Sequence, residues 1–323
     1  MILTALFLSV AMATQIAPPA IPQASVQTPP VSQPTQNEGP VTDLGAVTVT
    51  GQRPTEERAT AFVEEVTAPP RGRGLARWDK AICVGTANID NRYAQFMIDR
   101  ISATAASVGL DIGEPGCRAN VMIAASTDAD ALAKALVRDE PNGFRPSTGQ
   151  TDIGSQALSE FQNSDAPVRW WHVSLPVSVD TGDVAVRVNG EEPPTVYVRD
   201  ASRLRSNVRD DLVRVVIILD TSRMGPVSYG ALSDYVAMIA LAQIDAKADT
   251  STWPTILNLF AANPPNSLTN WDKDYLTALY AARRDRLRGV QQTRDIVHNM
   301  VDGVPSPTAD RDDEDPAEIT PTP

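Results

Sequence analysis

Histidine is the residue that most limits the chemistry of this chain. His172 and His298 are the two histidines among 323 residues, and they are far apart in the sequence. A zinc-binding helix needs two imidazoles one turn apart, and this spacing does not occur. A serine hydrolase needs a base beside its nucleophile, but the sequence has no Gly-x-Ser-x-Gly turn. The histidines therefore predict neither a metal site nor a serine nucleophile.

His172 itself allows two interpretations. It follows Trp170 and Trp171 in an aromatic-rich segment that is typical of a strand. It could act as a base in an aromatic-lined pocket, but a half-buried strand position is the favoured interpretation. With Trp253 these residues could line a groove for a glycan or peptide, although core packing is favoured for the tryptophans. The candidate groove residues are Trp170, Trp171, His172 and Trp253.

Carboxylates are abundant, but no pair is placed for general acid and base catalysis. Asp210 is adjacent to Asp211, and Glu191 is adjacent to Glu192; adjacent residues do not face one another. Glycine-rich phosphate loops are also missing from the sequence. We therefore expect no catalytic residue, no bound cofactor and no metal, and the chain is more easily explained as a protein that is not an enzyme.

A strand and a helix form the centre of the chain. The segment from Val213 to Leu219 is a nearly continuous β-branched run, which is typical of a strand buried on both faces. The helix predicted for about 228–244 is apolar nearly all round, and such a helix is buried. Between them, Asp220 could cap the turn or Arg223 could bind an anion near the helix N-terminus; capping is the favoured interpretation.

The first half of the chain predicts a strand, a helix, a strand and a helix. Strands are predicted at 81–87 and 120–125, with Asp90 as N-cap and Gly109 as terminator of the helix between them. This order predicts parallel strands joined by a crossover helix. We expect an apolar stripe on that helix to pack on the sheet. Its residues are Tyr93, Phe96, Met97, Ile101, Ala105 and Val108.

Two further predictions concern the second half. Residues 184–188 and 195–198 could pair as an antiparallel ribbon around Asn189 and Gly190. The run of arginines at 283–288 is expected to be a solvated face at a helix C-terminus. The fold class is α/β (α+β), with a mixed, mostly parallel sheet and packed helices.

Composition divides the chain into four parts. Residues 1–13 are apolar, end in an Ala-x-Ala pattern and predict a signal peptide. Residues 14–56 are rich in proline and predict a disordered linker. Residues 57–300 are expected to form a single globular domain. Residues 301–323 form an acidic tail that is expected to be disordered.

Charge and cysteine content narrow the partners and the compartment. The net charge of −12 argues against nucleic acid, which requires a basic surface. Cys83 and Cys117 are the two cysteines, and in an exported protein they predict a disulfide, with two buried thiols as the alternative. No later segment is apolar for long enough to anchor the chain in a membrane after signal cleavage. We expect export to the periplasm or the extracellular space.

The C-terminal half resembles the metzincin-like part of zinc metalloproteases and, more closely, uncharacterised exported bacterial proteins with a degenerate form of that fold. The resemblance is carried by the central helix, by residues 254–260, and by the segments 268–272 and 275–280. It implies a zincin-like core. Metalloproteases of this kind carry His-Glu-x-x-His on the helix, and Tyr235, Val236 and Ile239 occupy those positions here, so the resemblance implies a protein without catalytic zinc.

The sequence thus favours a non-catalytic exported protein that binds a protein or peptide in the cell envelope through a degenerate protease-like scaffold, a pseudoenzyme. A hydrolase that uses His172 or carboxylates is one alternative, and a structural envelope spacer is another. The partner and the oligomeric state do not follow from the sequence.

Overall fold

The computed structural model describes residues 54–147, 151–199 and 202–304. The predicted signal peptide, almost all of the predicted linker and most of the predicted acidic tail lie outside these residues. The account below concerns the described residues alone.

A mixed four-stranded sheet forms the centre of the described chain. The strands are β1 (Ala81–Ile82), β2 (Val84–Ala87), β3 (Asp111–Ile112), β4 (Val121–Ser126), β5 (Val168–Ser178) and β6 (Val208–Asp220). The order in the larger sheet is β2-β4-β6-β5, while β1 and β3 form a separate parallel pair. β2, β4 and β6 run parallel, and β5 is antiparallel to β6. The predicted mixed, mostly parallel α/β arrangement is confirmed.

Eight helices surround the strands of the described residues. They are α1 (Glu56–Val66), α2 (Asn91–Ser107), α3 (Ala129–Asp139), α4 (Pro141–Phe144), α5 (Ser155–Gln162), α6 (Tyr229–Leu241), α7 (Asn270–Ala281) and α8 (Gly289–Asp302), with a 3-10 turn at Ile256–Asn258. Asp90 caps α2 by accepting from the backbone N–H of Arg92. Gly109, just after α2, has φ +83°, which glycine adopts without strain. The crossover from β2 through α2 to parallel β4 was predicted from these signals.

The sheet buries its two faces against different helices. On one face the side chains of α2 and α6 pack on alternate residues of β4 and β6, such as Ile123 and Ile217, in the main core. On the other face a smaller core joins α3 and α5 to Trp171, Val216 and Ile218. β5 is therefore covered on both faces although it lies at the edge of the sheet.

Helix α6 is buried almost throughout, as its apolar sequence predicts. Its charged residue is Asp234, a buried carboxylate that accepts two hydrogen bonds from the Arg100 guanidinium, at 2.5 and 2.8 Å. The same carboxylate accepts the backbone N–H of Leu268 at 2.8 Å. This network joins α2, α6 and the segment before α7, and it satisfies a charge that would otherwise be costly to bury.

The disulfide between Cys83 and Cys117 is present. Cys83 lies at the break between β1 and β2, so the predicted strand 81–87 is interrupted there. The bridge ties this break to the segment that leads into β4.

Several local predictions are wrong. The central helix was predicted to extend to about residue 244, but α6 ends at Leu241. Residues 243–245 pair instead with the end of α1 and the residues after it: Asp245 N donates to Val66 O, and Ala68 N donates to Gln243 O. Tyr93 and Phe96 are each 45% exposed and do not pack on the sheet, because the stripe that faces the sheet is narrower than the apolar stripe of the sequence.

The predicted ribbon of 184–188 with 195–198 does not form among the described residues. An isolated bridge from Val177 to Val184 is found instead. The first segment pairs with the end of β5, where Ala185 N donates to Pro176 O, and Pro193 and Pro194 lengthen the connection between the two segments. The arginine run is also not a solvated face throughout, since the Arg284 side chain is 15% exposed and pairs with Asp79.

Candidate functional site

The free edge of β5 is the feature from which the candidate site is built. In an antiparallel pair, hydrogen-bonded and non-hydrogen-bonded residues alternate. Asp220 N donates to Pro167 O at 2.8 Å, and the register then continues as Val168 opposite Leu219 and Trp170 opposite Ile217. The backbone N–H and C=O of Val168, Trp170 and His172 therefore point away from β6, toward the outside of the sheet.

These outward groups have no backbone partner in the described chain. Farther along β5 the edge is occupied, because Ala185 N donates to Pro176 O at 2.7 Å and Ser178 N donates to Asp183 O at 2.8 Å. Pro176 lacks an N–H and sits with its missing donor at the outer side, as prolines on edge strands do. The open stretch of the edge thus runs from Val168 to about Ser174.

A cavity of about 770 Å³ lies along this open stretch. Trp170, His172 and Tyr235 line it from the side of the main core. Ala157 and Phe161 of α5 line it from the opposite face of the sheet. The cavity therefore borders both faces of β5 and includes the edge between them, with a volume typical of ligand sites.

Aromatic rings form one wall of this cavity. The Tyr235 ring contacts the Trp170 ring at a centroid distance of 6.3 Å and the Phe260 ring at 5.4 Å, both edge to face. The indole N–H of Trp170 is satisfied by Ile244 O at 2.9 Å. Burial raises the pKa of the Tyr235 phenol, which keeps it neutral. The wall can therefore contact an apolar side chain or a peptide plane of a ligand.

His172 lines the same cavity and is held by the central helix. Its Nε2 lies 2.8 Å from the carbonyl oxygen of Ile239, and the Nε2–H tautomer donates this bond. Burial lowers the pKa of His172 to about 4, although the hydrogen bond to Ile239 opposes the shift. The imidazole is therefore neutral near pH 7 and is oriented by α6.

The three residues of α6 that the sequence resemblance aligns with His-Glu-x-x-His lie in different surroundings. Tyr235 lines the cavity. Val236 and Ile239 are fully buried in the main core, and Ile239 reaches the site through its carbonyl group alone. Of these three side chains, the Tyr235 phenol is the one that lines the cavity.

The tryptophans of the predicted groove are also divided. Trp170 lines the cavity, and Trp171 lines it from the opposite face of the sheet, where its indole N–H donates to Phe144 O at 2.9 Å. Trp253 lies elsewhere and packs against Phe62 at 5.6 Å. Three of the four residues predicted to line a groove, Trp170, Trp171 and His172, therefore lie at this cavity.

An ion pair spans the outer side of the cavity. Lys247, which follows α6, lies 2.8 Å from the Glu160 carboxylate of α5. Because α5 packs on one face of the sheet and α6 on the other, the pair passes outside the edge of β5. Lys247 is 65% exposed and Glu160 40% exposed, so the pair is accessible to solvent and weak.

The turn after β6 has a structural role. Asp220 accepts from the hydroxyl and the backbone N–H of Ser222, at 2.5 and 3.0 Å. Arg223 pairs with Asp165 at 2.7 Å. This arrangement matches the capping interpretation.

Sequence patterns did not indicate Glu160, Phe161, Lys247 or Phe260 as members of the site. They belong to three separate segments, α5 and the segments around residues 247 and 260, that the fold brings together around β5. Pro176 was the one available signal, because a proline inside a strand indicates an edge.

In the ranges 54–147, 151–199 and 202–304, no group of His, Cys, Asp and Glu side chains is arranged to hold a metal ion. Among the described helices, none is long and apolar enough to cross a bilayer. No protein-family model, curated protein or solved structure matches the chain.

Proposed function

We propose that the chain binds an extended segment of a protein or peptide along the open edge of β5 and does not catalyse a reaction. The observation that carries this proposal is the set of outward backbone groups at Val168, Trp170 and His172. An extended peptide can pair with such groups and add a strand to the sheet. Edge strands without cover are otherwise a liability, and proteins usually protect them.

The cavity supports this mode of binding because it borders both faces of the edge. Side chains of an added strand alternate between the faces. One set would meet the wall formed by Trp170, Tyr235 and Phe260, and the other would meet Ala157 and Phe161 of α5. The aromatic wall favours large apolar side chains in the first set.

The scaffold is proposed to be zincin-like, in line with the sequence resemblance. β6 leads into the buried helix α6, and β5 lies antiparallel beside β6. The carboxylate of this helix, Asp234, is engaged by Arg100 and Leu268. The disulfide supports export, because such bonds persist in oxidising compartments, and a partner in the envelope follows from that localisation.

The hydrolase alternative has less support. His172 is a neutral imidazole in the cavity, but its Nε2 is engaged by Ile239 O. Trp170 and Tyr235 line the cavity with it, and the raised pKa of Tyr235 opposes its use as a nucleophile. Carboxylates of Asp152, Glu160 and Asp245 also line the cavity, but Asp152 pairs with Arg145 and Glu160 with Lys247.

Backbone methylation of a ligand tests the proposal. Peptides selected from a random library on the intact chain would be resynthesised with N-methyl groups on alternate residues, in two versions shifted by one residue. Strand addition uses every second amide of the peptide. We expect one version to lose at least tenfold in affinity, equal to about 1.4 kcal/mol, and the other to retain most of it.

A matched protein variant locates the site. Trp170→Ala removes part of the aromatic wall and should weaken binding, whereas Trp253→Ala, outside the cavity, should not. Equal affinity of the two methylated peptides, or equal effects of the two substitutions, would refute strand addition at β5.

A further inference from the structure

A second cavity, of about 460 Å³, lies where the chain before β1, the start of β6 and the start of α8 meet. Five arginines line it, and we call it the arginine pocket. These are Arg73, Arg209, Arg284, Arg286 and Arg288. Asp210 is the one carboxylate among the lining residues. This concentration of guanidinium groups is unusual in a chain whose net charge is −12.

Carboxylates beside the pocket hold two of its arginines in fixed positions. Asp79 lies 2.6 Å from Arg284 and 2.8 Å from Arg209. Asp211 pairs with the same two guanidinium groups, with a distance of 3.0 Å to Arg209. Two carboxylates thus share two arginines, and all four side chains are mostly buried. Such a network orients the guanidinium groups in advance of any ligand.

Donors toward the pocket remain after these pairs are formed. Arg286 binds Asp295 through Nε and Nη2, at 2.7 Å each, and its Nη1 makes no hydrogen bond within the described residues. Arg288 is exposed and has no ion pair in the described ranges. Helix α8 begins at Gly289, beside these groups, and its residues Gly289 and Gln292 line the pocket.

Carboxylates in or directly behind the pocket pair with four of its five arginines. Arg73 pairs with Asp210 and Arg286 with Asp295, in addition to the pairs that Asp79 and Asp211 make with Arg209 and Arg284. Arg288 is the lining arginine that pairs with no carboxylate of the described residues. Arg77 lies near Arg284. Burial and the charge of Arg284 lower the pKa of Arg77 to about 10.

We propose that the arginine pocket binds a small molecule through an oxyanion group, a phosphate or a carboxylate. Guanidinium forks match the geometry of both groups and bind them with paired hydrogen bonds. The volume suits a small ligand. Arg286 and Arg288 make the direct contacts, while Asp79 and Asp211 position Arg209 and Arg284. The site is separate from the β5 cavity and does not depend on its function.

Calorimetric titration of the intact chain with inorganic phosphate tests this site. The comparison titrates sodium chloride at matched ionic strength. We expect saturable phosphate binding by the natural chain and at least tenfold weaker binding by Arg288→Gln, whose side chain is exposed and can be replaced without unfolding the chain. Arg138→Gln, on the surface of α3 and 71% exposed, is the matched control and should bind as the natural chain does. Citrate in place of phosphate distinguishes the two oxyanions.

Two outcomes would overturn the proposal. Equal phosphate binding by all three chains would indicate an adventitious ion only. The absence of saturable binding to either oxyanion would show that the pocket is an ion-pair network without a ligand.

Discussion

The two cavities differ in what they offer a ligand. The β5 cavity offers unpaired backbone groups and aromatic rings, and the single ion pair that lines it lies on its exposed outer side. The arginine pocket offers charged groups, and most of these are buried and paired. In the first cavity the sheet itself is incomplete at its edge, whereas in the second a network of charges must stay complete for the fold to persist. The open strand edge and the buried network of ion pairs therefore lie at two different cavities of the chain.

This difference predicts opposite responses to the removal of charge. A buried ion pair that loses one partner leaves an uncompensated charge, which costs several kcal/mol. A solvated pair that loses one partner costs little, because water replaces it. The predictions below follow that contrast, beginning with the largest effect.

Removal of the shared carboxylate in the arginine pocket should cause the largest loss of stability. Asp211→Ala leaves Arg209 and Arg284 with Asp79 as their remaining shared partner. We expect the free energy of unfolding to fall by about 3–5 kcal/mol. Urea unfolding monitored by circular dichroism measures it.

Asp139→Ala is the matched control for this experiment. Asp139 pairs with Arg138, and both side chains are more than half exposed. Its removal should change the free energy of unfolding by less than about 1 kcal/mol. A similar small change for Asp211→Ala would mean that the pocket charges do not support the fold.

The β5 cavity contains one group whose titration should be visible in stability. The folded-state pKa of His172 is lowered to about 4, below its unfolded value of about 6.5. The unfolded state therefore binds more protons between these values, so this contribution is complete above about pH 6.5 and is lost as the pH falls toward 4. The difference corresponds to at most about 3 kcal/mol. Unfolding at a series of pH values measures the slope.

His172→Gln should remove this part of the pH dependence. His298→Gln should retain it, because His298 is 67% exposed and pairs with Asp302 on α8. Carboxylates that titrate in the same range contribute to all three chains, and the difference between chains isolates His172. If the stability curves of the natural chain and His172→Gln run parallel from pH 4 to 6.5, the buried neutral state of His172 is wrong.

The contrast also explains how much the sequence could predict. Thr269 and Asp272, three residues apart, form a reciprocal cap at the start of α7, and a threonine followed at this spacing by an acidic side chain indicates a helix start. Such signals are local, since the residues that interact are neighbours in the chain. The burial of α6 was predicted for the same reason, because its periodicity is contained within the helix.

The sites required information that the local pattern lacks. The sequence of β5 is typical of an interior strand, because helices cover both of its faces. Its position at the edge of the sheet depends on which strands pair with it. Arg284 lies in a run that resembles a solvated surface, and its burial is decided by Asp79 and Asp211, which are distant in sequence. Pairing partners over long separations therefore determine both cavities.

The smallest effect on stability is expected at the outer side of the β5 cavity, although the effect on binding should be clear. Lys247→Ala removes the exposed pair with Glu160 and should change the free energy of unfolding by less than about 1 kcal/mol. A peptide that adds to β5 must occupy the region that this pair crosses. We expect the affinity for a selected peptide to rise by up to about fivefold, in line with the small energy of such a pair.

The control for this prediction is Lys273→Ala, which replaces an exposed lysine on α7 and should leave the affinity unchanged. Added salt should raise the affinity of the natural chain but not of Lys247→Ala, because screening weakens the same pair. A loss of affinity in Lys247→Ala would instead place Lys247 in direct contact with the peptide, and the outer ion pair would then be part of the binding surface.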